Sequence, residues 1–267
     1  KVIPLELREK SIVDFCDSMA LRYSRPVGFF INPIFSLIEK YEQLAQIDFE
    51  KKIAENFGRS VFITHRDAET SNVNAKIIPN DLVSVDVSTE VSSVAPKHLT
   101  ALYIGNFNSA SNRDGLVSFV HNVLLPINNE YNYNLHLIVA GNIPSKIVKN
   151  ISEFPNISFI RDYGSLRDLE GQASFGICPV QSAAGLQNKV IDYVAIGLPV
   201  ICSNTTFEAF SDTIQKHLHR GETVHDYVKF IDYIQCITTH DIEMVRASFT
   251  AYFCPKRIEK LFEEIMN

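Results

Sequence analysis

No stretch of this chain approaches the roughly 20 consecutive apolar residues of a membrane-spanning helix, and no charged leader followed by a short apolar run opens it. The expectation is a chain without a signal peptide or a membrane span. Basic charge is also scarce: the formal net charge is -6, so the clustered Lys and Arg of a nucleic-acid-binding domain are missing. Nucleic acid is therefore not an expected partner. The five cysteines, Cys16, Cys178, Cys202, Cys236 and Cys254, contain no CxxC pair, and three of them sit in apolar runs. They read as reduced and buried, which suits a cytoplasmic location, with peripheral membrane contact as an option. An initiator methionine and a glycine-rich opening turn are absent as well, so the chain reads as a piece of a longer protein.

What is present is 267 residues with 46% hydrophobic content, enough to bury one large core or two smaller ones. Short apolar runs alternate with longer amphipathic stretches, the pattern of βαβ units around a parallel sheet. The fold class expected is α/β. Strands are predicted at 11–15, 60–64, 75–78, 99–104, 135–140, 157–160, 175–178 and 199–202. A long helix is predicted over 34–56, where Leu37, Ile38, Tyr41, Leu44 and Ala45 recur at helical spacing. The segment 85–98, rich in Val, Ser and Thr, has no apolar period and reads as an inter-domain linker. The division expected is a partial first domain at 1–90, a linker at 91–98, a second, doubly wound domain at 99–252, and a final helix at 253–267 that could cross back. Pro255 opens that helix at a first-turn position.

The most informative segment runs from Ile177-Cys178-Pro179 to Gly197-Leu198-Pro199. A strand ends, a loop of small residues follows, and a helix starts near Leu186. In open α/β sheets ligands collect at the carboxyl ends of strands, where helix N-termini offer N–H groups to phosphates. Gly185, Leu186, Gln187 and Asn188 form that start, and Lys189 in the first turn can add a point charge to a diphosphate. Asp192, three residues on, shares its face and can accept both hydroxyls of a ribose. By residue types alone, a solvated Lys189–Asp192 pair beside a mere turn at Gly185 is at least as good an explanation. A second segment, Leu102-Tyr103-Ile104-Gly105-Asn106, lets the backbone approach a ligand because Gly105 has no side chain. There too, a simple turn is an even alternative.

In order and separation these segments resemble the C-terminal domain of family-4-type (group 1) retaining glycosyltransferases, which have the GT-B fold of two Rossmann-like domains. The resemblance rests on Tyr103-Ile104-Gly105-Asn106, Leu125-Pro126 at a helix end, Leu137-Ile138-Val139-Ala140-Gly141 and Asn156-Ile157-Ser158-Phe159. It continues through Asp168-Leu169, Ser174-Phe175-Gly176-Ile177-Cys178-Pro179, Gly185-Leu186-Gln187-Asn188-Lys189-Val190-Ile191-Asp192 and Gly197-Leu198-Pro199-Val200. The front, from Ile12-Val13-Asp14-Phe15 to Ile77-Ile78-Pro79-Asn80, is similar to the end of that family's N-terminal, acceptor-side domain.

The resemblance implies a nucleoside diphosphate sugar as donor and a saccharide or lipid-linked hydroxyl as acceptor, in surface polysaccharide or glycoconjugate synthesis. No cofactor is expected, and no metal either, because the helix start and Lys189 would supply the positive charge and no carboxylate cluster near this loop could hold Mg²⁺. The resemblance places the donor at Gly105, Asn106, the 185–189 loop and Asp192, and sets Tyr163 beside the base. This chain departs from the pattern at the glutamate pair, eight apart, which becomes Ala184 and Asp192, and in having no clearly placed basic residue soon after the first strand. Arg113 is the candidate for a basic residue often found after the first strand. No residue is assigned to catalysis, and the front reads as lacking the opening βα units on which an acceptor pocket would be built, so the chain as given is expected to bind nucleotide but transfer sugar poorly or not at all. The alternatives are a non-catalytic nucleotide-sugar-binding module and a sugar-nucleotide epimerase.

Three other constellations have plainer readings. Asp14 and Asp17 read as a strand-end residue and a helix cap. His217, His219 and His225 read as a solvated helical surface without the spacing of a metal set. Ser182 lacks the flanking glycines of a nucleophile elbow.

Overall fold

The computed structural model describes residues 3–25, 33–81, 98–131, 133–151, 153–154 and 156–266. The stretch 85–97, most of the segment read as a linker, lies outside the described residues.

The front of the chain forms a parallel three-stranded sheet in the order β1-β2-β3, with β1 at Ile12–Asp14, β2 at Arg59–Phe62 and β3 at Lys76–Ile77. The helices Met19–Tyr23 and Pro33–Glu55 form the crossover from β1 to β2, and His65–Ser71 the one from β2 to β3. Parallel strands need such crossovers because a tight turn reverses direction. Phe15 stacks on Phe62 with centroids 4.7 Å apart. The long helix forms as its period requires, yet Leu37, Ile38, Tyr41 and Leu44 are exposed rather than packed.

The second sheet has six parallel strands: β4 Thr100–Ile104, β5 His136–Ala140, β6 Ile157–Ile160, β7 Phe175–Cys178, β8 Val200–Cys202 and β9 His219–Arg220. Their order is β6-β5-β4-β7-β8-β9. The chain winds outward one way from β4 through β5 and β6, then crosses to the other side of β4 for β7. The carboxyl ends of β4 and β7 therefore flank a topological switch point, the place where such sheets bind ligands. Every residue of β4 is buried, as expected of a strand covered on both faces.

One side chain holds the switch point open. The β4–β7 ladder is registered only at Ala101↔Phe175 and Leu102↔Gly176. Beyond it the Tyr193 hydroxyl bridges the strands, accepting from the Ile104 N–H at 2.7 Å and donating to the Ile177 carbonyl at 3.0 Å. The ring fits because residue 176 is glycine: a Cβ there would lie 2.3 Å from Tyr193 Cγ.

Several expectations need correction. The helix at Leu125-Pro126 does not end there; it passes through a π-turn at Val120–Leu124 and continues to Glu130. A proline clashes with the carbonyl four residues back, and the wider turn relieves that. The histidines do not share a helix: His219 lies in β9, its ring 4.4 Å from that of Tyr233 and 4.8 Å from that of Phe230, and burial lowers its pKa. All five cysteines are free, but only Cys178 and Cys202 are buried.

The last helix, Pro255–Met266, returns to the first sheet, where Ile258 and Ile265 pack with Val61 and Ile78. No helix among the described residues is long and apolar enough to cross a membrane.

Candidate functional site

Two loops meet at the switch point. The one after β4 carries Gly105 and Asn106, and its backbone is packed tightly against the loop after β5: a Cβ on Gly141, whose φ is +119°, would come within 2.3 Å of the Gly105 carbonyl oxygen. The exposed Asn106 is braced from within its own turn. Its side-chain oxygen accepts from the Asn108 N–H at 3.1 Å, and its carbonyl accepts from Asn112 Nδ2 at 3.0 Å.

The loop after β7 is anchored by Ser111, whose hydroxyl donates to the Ser182 carbonyl at 2.6 Å. It then turns through Gly185 at φ +64° and enters the helix Asn188–Ala195. Gln187 is the N-cap and its side chain makes no capping hydrogen bond, so the first turn keeps N–H groups for a ligand. Leu186 and Gln187 are half-buried and Asn188 is exposed.

Lys189 is a buried lysine. Its Nζ donates to Asn112 Oδ1 at 2.6 Å and stands 4.7 Å from the Tyr103 ring centroid. The space that a Gly105 side chain would fill lies 3.4 Å from Nζ, so Lys189 reaches from one loop to the other. Burial lowers its pKa, with the charge of Asp192 among the effects opposing the shift. A solvated Lys189–Asp192 pair is not what the structure contains.

Asp192 is half-buried, and desolvation lifts its pKa to about 6 against the opposing pull of Lys189. Tyr163 is partly buried beside it; burial first and the Asp192 charge second raise the phenol pKa. Perturbed pairs of this kind in a crevice mark candidate sites. Arg113 is not directed at the crevice: it donates to the Asn108 carbonyl at 2.5 Å and locks the turn.

A pH dependence follows. Below about pH 6 the Asp192 carboxyl is protonated and can accept fewer hydrogen bonds, so protons compete with any hydroxyl a ligand would donate to it. The affinity of a ligand held through Asp192 should fall by up to about tenfold from pH 7 to pH 5, one unit below that pKa. Asp192→Asn should remove this component. Identical pH profiles of the dissociation constant for the two proteins would show that Asp192 does not meet the ligand.

The first domain closes over the same loop. Asp67 Oδ1 accepts from the Ser18 N–H at 2.8 Å and from the Gly185 N–H at 3.3 Å, while Oδ2 accepts from Thr64 Oγ1. Asn80 Nδ2 donates to Asn188 Oδ1 at 2.9 Å, and Arg66 pairs with Glu208. Beneath lies Glu50, 3% exposed, accepting from Ser18 Oγ, Ser71 Oγ and the Met19 N–H. Sequence reasoning gave no role to Asn112 or Asp67. A Thr-x-x-Asp cap at Thr64 was readable for Asp67; nothing local pointed to its contact with Gly185.

A six-stranded parallel sheet of this order, with a basic residue reaching across its switch point and a second α/β unit closed over it, defines a Rossmann-like protein of the GT-B type. The family model for glycosyl transferases group 1 matches residues 98–257, and the chain belongs to that family.

Solved structures agree in fold. A mutant of S. aureus TarM, in complex with fondaparinux, alpha-GlcNAc-glycerol and UDP, has a TM-score of 0.62 at 13% identity over 96% of this chain and 50% of that one. Anabaena HepE in complex with UDP and glucose has a TM-score of 0.59 at 8% identity, over 87% of this chain and 74% of that one. The pneumococcal O-GlcNAc transferase GtfA, in complex with UDP and GlcNAc, has a TM-score of 0.53 at 15% identity, over 83% and 47%. At these identities the likeness is one of fold, and the chain spans about half the length of TarM. No curated protein sequence matches it.

Proposed function

We propose that the protein binds a nucleoside diphosphate sugar at the β4–β7 switch point and transfers the sugar, with retention of configuration, to a hydroxyl of a saccharide or lipid-linked acceptor. The observation that carries this reading is the position of Lys189. It is a buried cation at an uncapped helix start, facing a glycine loop across the crevice, beside a half-buried carboxylate. Burying a charge is costly unless something compensates it. Here one neutral amide oxygen, on Asn112, is its hydrogen-bond partner among the described residues, and a diphosphate would supply the missing negative charge.

Chemistry follows from that arrangement. As the bond between sugar and diphosphate breaks, negative charge grows on the leaving phosphate, and Lys189 with the N–H groups of the first turn stabilises it. Asp192 accepts from the ribose and Tyr163 packs near the base. Gly105 lets the β4 loop approach the phosphates.

The same charges lead us to propose that donor binding needs no divalent metal. Titration with UDP, GDP and ADP by calorimetry should show binding of at least one of them, unchanged by EDTA. Binding lost on chelation and restored by Mg²⁺ or Mn²⁺ would refute the metal-free site; failure of all three diphosphates to bind would refute the donor site itself.

A further inference from the structure

Asp17 was expected to cap a helix, and it does not. Ser18 is the N-cap of Met19–Tyr23, its Oγ accepting from the Leu21 N–H at 3.0 Å. The Asp17 carboxylate has no hydrogen-bond or ion-pair partner among the described residues. It is carried instead to the donor loop. A Cβ on Gly185 would lie 1.7 Å from Asp17 Oδ1 and 2.5 Å from its Cγ, so the carboxylate rests against the glycine Cα.

The backbone that places it is unusual. Cys16, immediately before, adopts φ +54°, a left-handed conformation that a residue with a side chain rarely takes, and the Asp14 carboxylate holds it by accepting from the Cys16 N–H at 2.9 Å. Such strain is kept where a structure needs a particular direction. Partial burial and the neighbouring Asp67 raise the Asp17 pKa, while Arg22 opposes the shift weakly. An acidic group held against a loop read as a diphosphate site repels phosphate, so phosphate is not its ligand. What suits a solvent-accessible, unpartnered carboxylate beside that loop is a neutral hydrogen-bond donor. The group attached to the diphosphate is a sugar, with hydroxyls to donate. The donor loop itself has no carboxylate at that point, since residue 184 is alanine.

We propose that Asp17, from the first domain, accepts hydrogen bonds from the hydroxyls of the donor sugar, so that the sugar is recognised only when both domains meet at Gly185. This rests on the donor reading given above, and its test separates the two. Wild-type chain, Asp17→Ala and Asp17→Asn are titrated with UDP, UDP-glucose, UDP-GlcNAc, GDP, GDP-mannose, ADP and ADP-glucose, with folding verified by circular dichroism and melting temperature.

The expected result is a wild type that binds one sugar conjugate more tightly than the bare diphosphate. Asp17→Ala should leave the bare diphosphate's affinity unchanged or higher and cut the sugar's gain by about tenfold or more, the effect of losing hydrogen bonds to a charged group. Asp17→Asn, which keeps the size and one acceptor oxygen, should lie between. A folded Asp17→Ala that retains the gain, a loss equal for conjugate and bare diphosphate, or a wild type in which no sugar adds affinity would overturn the role of Asp17 and leave the donor site standing. Absence of binding by UDP, GDP and ADP alike would overturn both. Should Asp17→Ala fail to fold, the same comparison is read from Asp17→Asn.

Discussion

Replacing Lys189 by alanine should weaken binding of a nucleoside diphosphate by about 1.5–3 kcal/mol, the scale of a hydrogen bond to a charged group, which is roughly a 10- to 150-fold rise in Kd. Two opposing terms have to be compared. The substitution relieves the desolvation that lowers the lysine's pKa, which favours the free fold. It also leaves Asn112 Oδ1 without its donor and removes the ammonium that stands over the Tyr103 ring. Both act on stability and are read from the melting temperature. The ligand term is read separately by calorimetry on the folded variant. Unchanged affinity there would mean that the diphosphate does not meet Lys189.

An effect of similar size is expected at Gly185. Its φ of +64° costs an L-residue about 1–2 kcal/mol, and any side chain would in addition run into Asp17. Gly185→Ala should therefore lose at least about tenfold in nucleotide affinity, because the loop must shift away from the N–H contact with Asp67 or the first domain must retreat. A double-mutant cycle divides the cost. In an Asp17→Ala background the steric part vanishes and the backbone part remains, so the two substitutions should couple. Strict additivity in stability and affinity would show that residues 17 and 185 do not touch in solution.

Much of this architecture was legible in the sequence, for a physical reason. Strands β4 to β8 are short apolar runs bounded by Gly, Pro, Asn or Asp, and a buried parallel strand has to look like that. β9 is two residues, His219–Arg220, paired through the backbone to β8, and no hydrophobic run announces it. The π-turn was hidden because Pro126 reads locally as a helix stop, whereas packing of Val120, Val123, Leu124 and Ile127 into the core carries the helix onward.

The loop proposed to hold the donor could be singled out because its parts are contiguous: Gly185, the helix start, Lys189 and Asp192 fall within eight residues. The groups that meet it are not. Asp17 and Asp67 reach Gly185 from more than a hundred residues away, and Asn112 reaches Lys189 from the far side of the switch point. Local spacing carries no record of such contacts, so Asp17 read as a cap and Asp67 went unmentioned. The same reasoning explains the long helix: periodicity defined Pro33–Glu55 correctly but could not say which of its faces would be covered.

The claim on which the rest depends is that a diphosphate sits between Gly105 and the Gly185–Lys189 helix start. A crystal structure of the chain with bound nucleoside diphosphate tests it directly. Phosphate oxygens within hydrogen-bond distance of Lys189 Nζ and of the first-turn N–H groups of Asn188–Ala195, with the ribose hydroxyls on Asp192, are the predicted result. A nucleotide lodged away from the switch point, or one bound there with Lys189 still bonded only to Asn112, would contradict it.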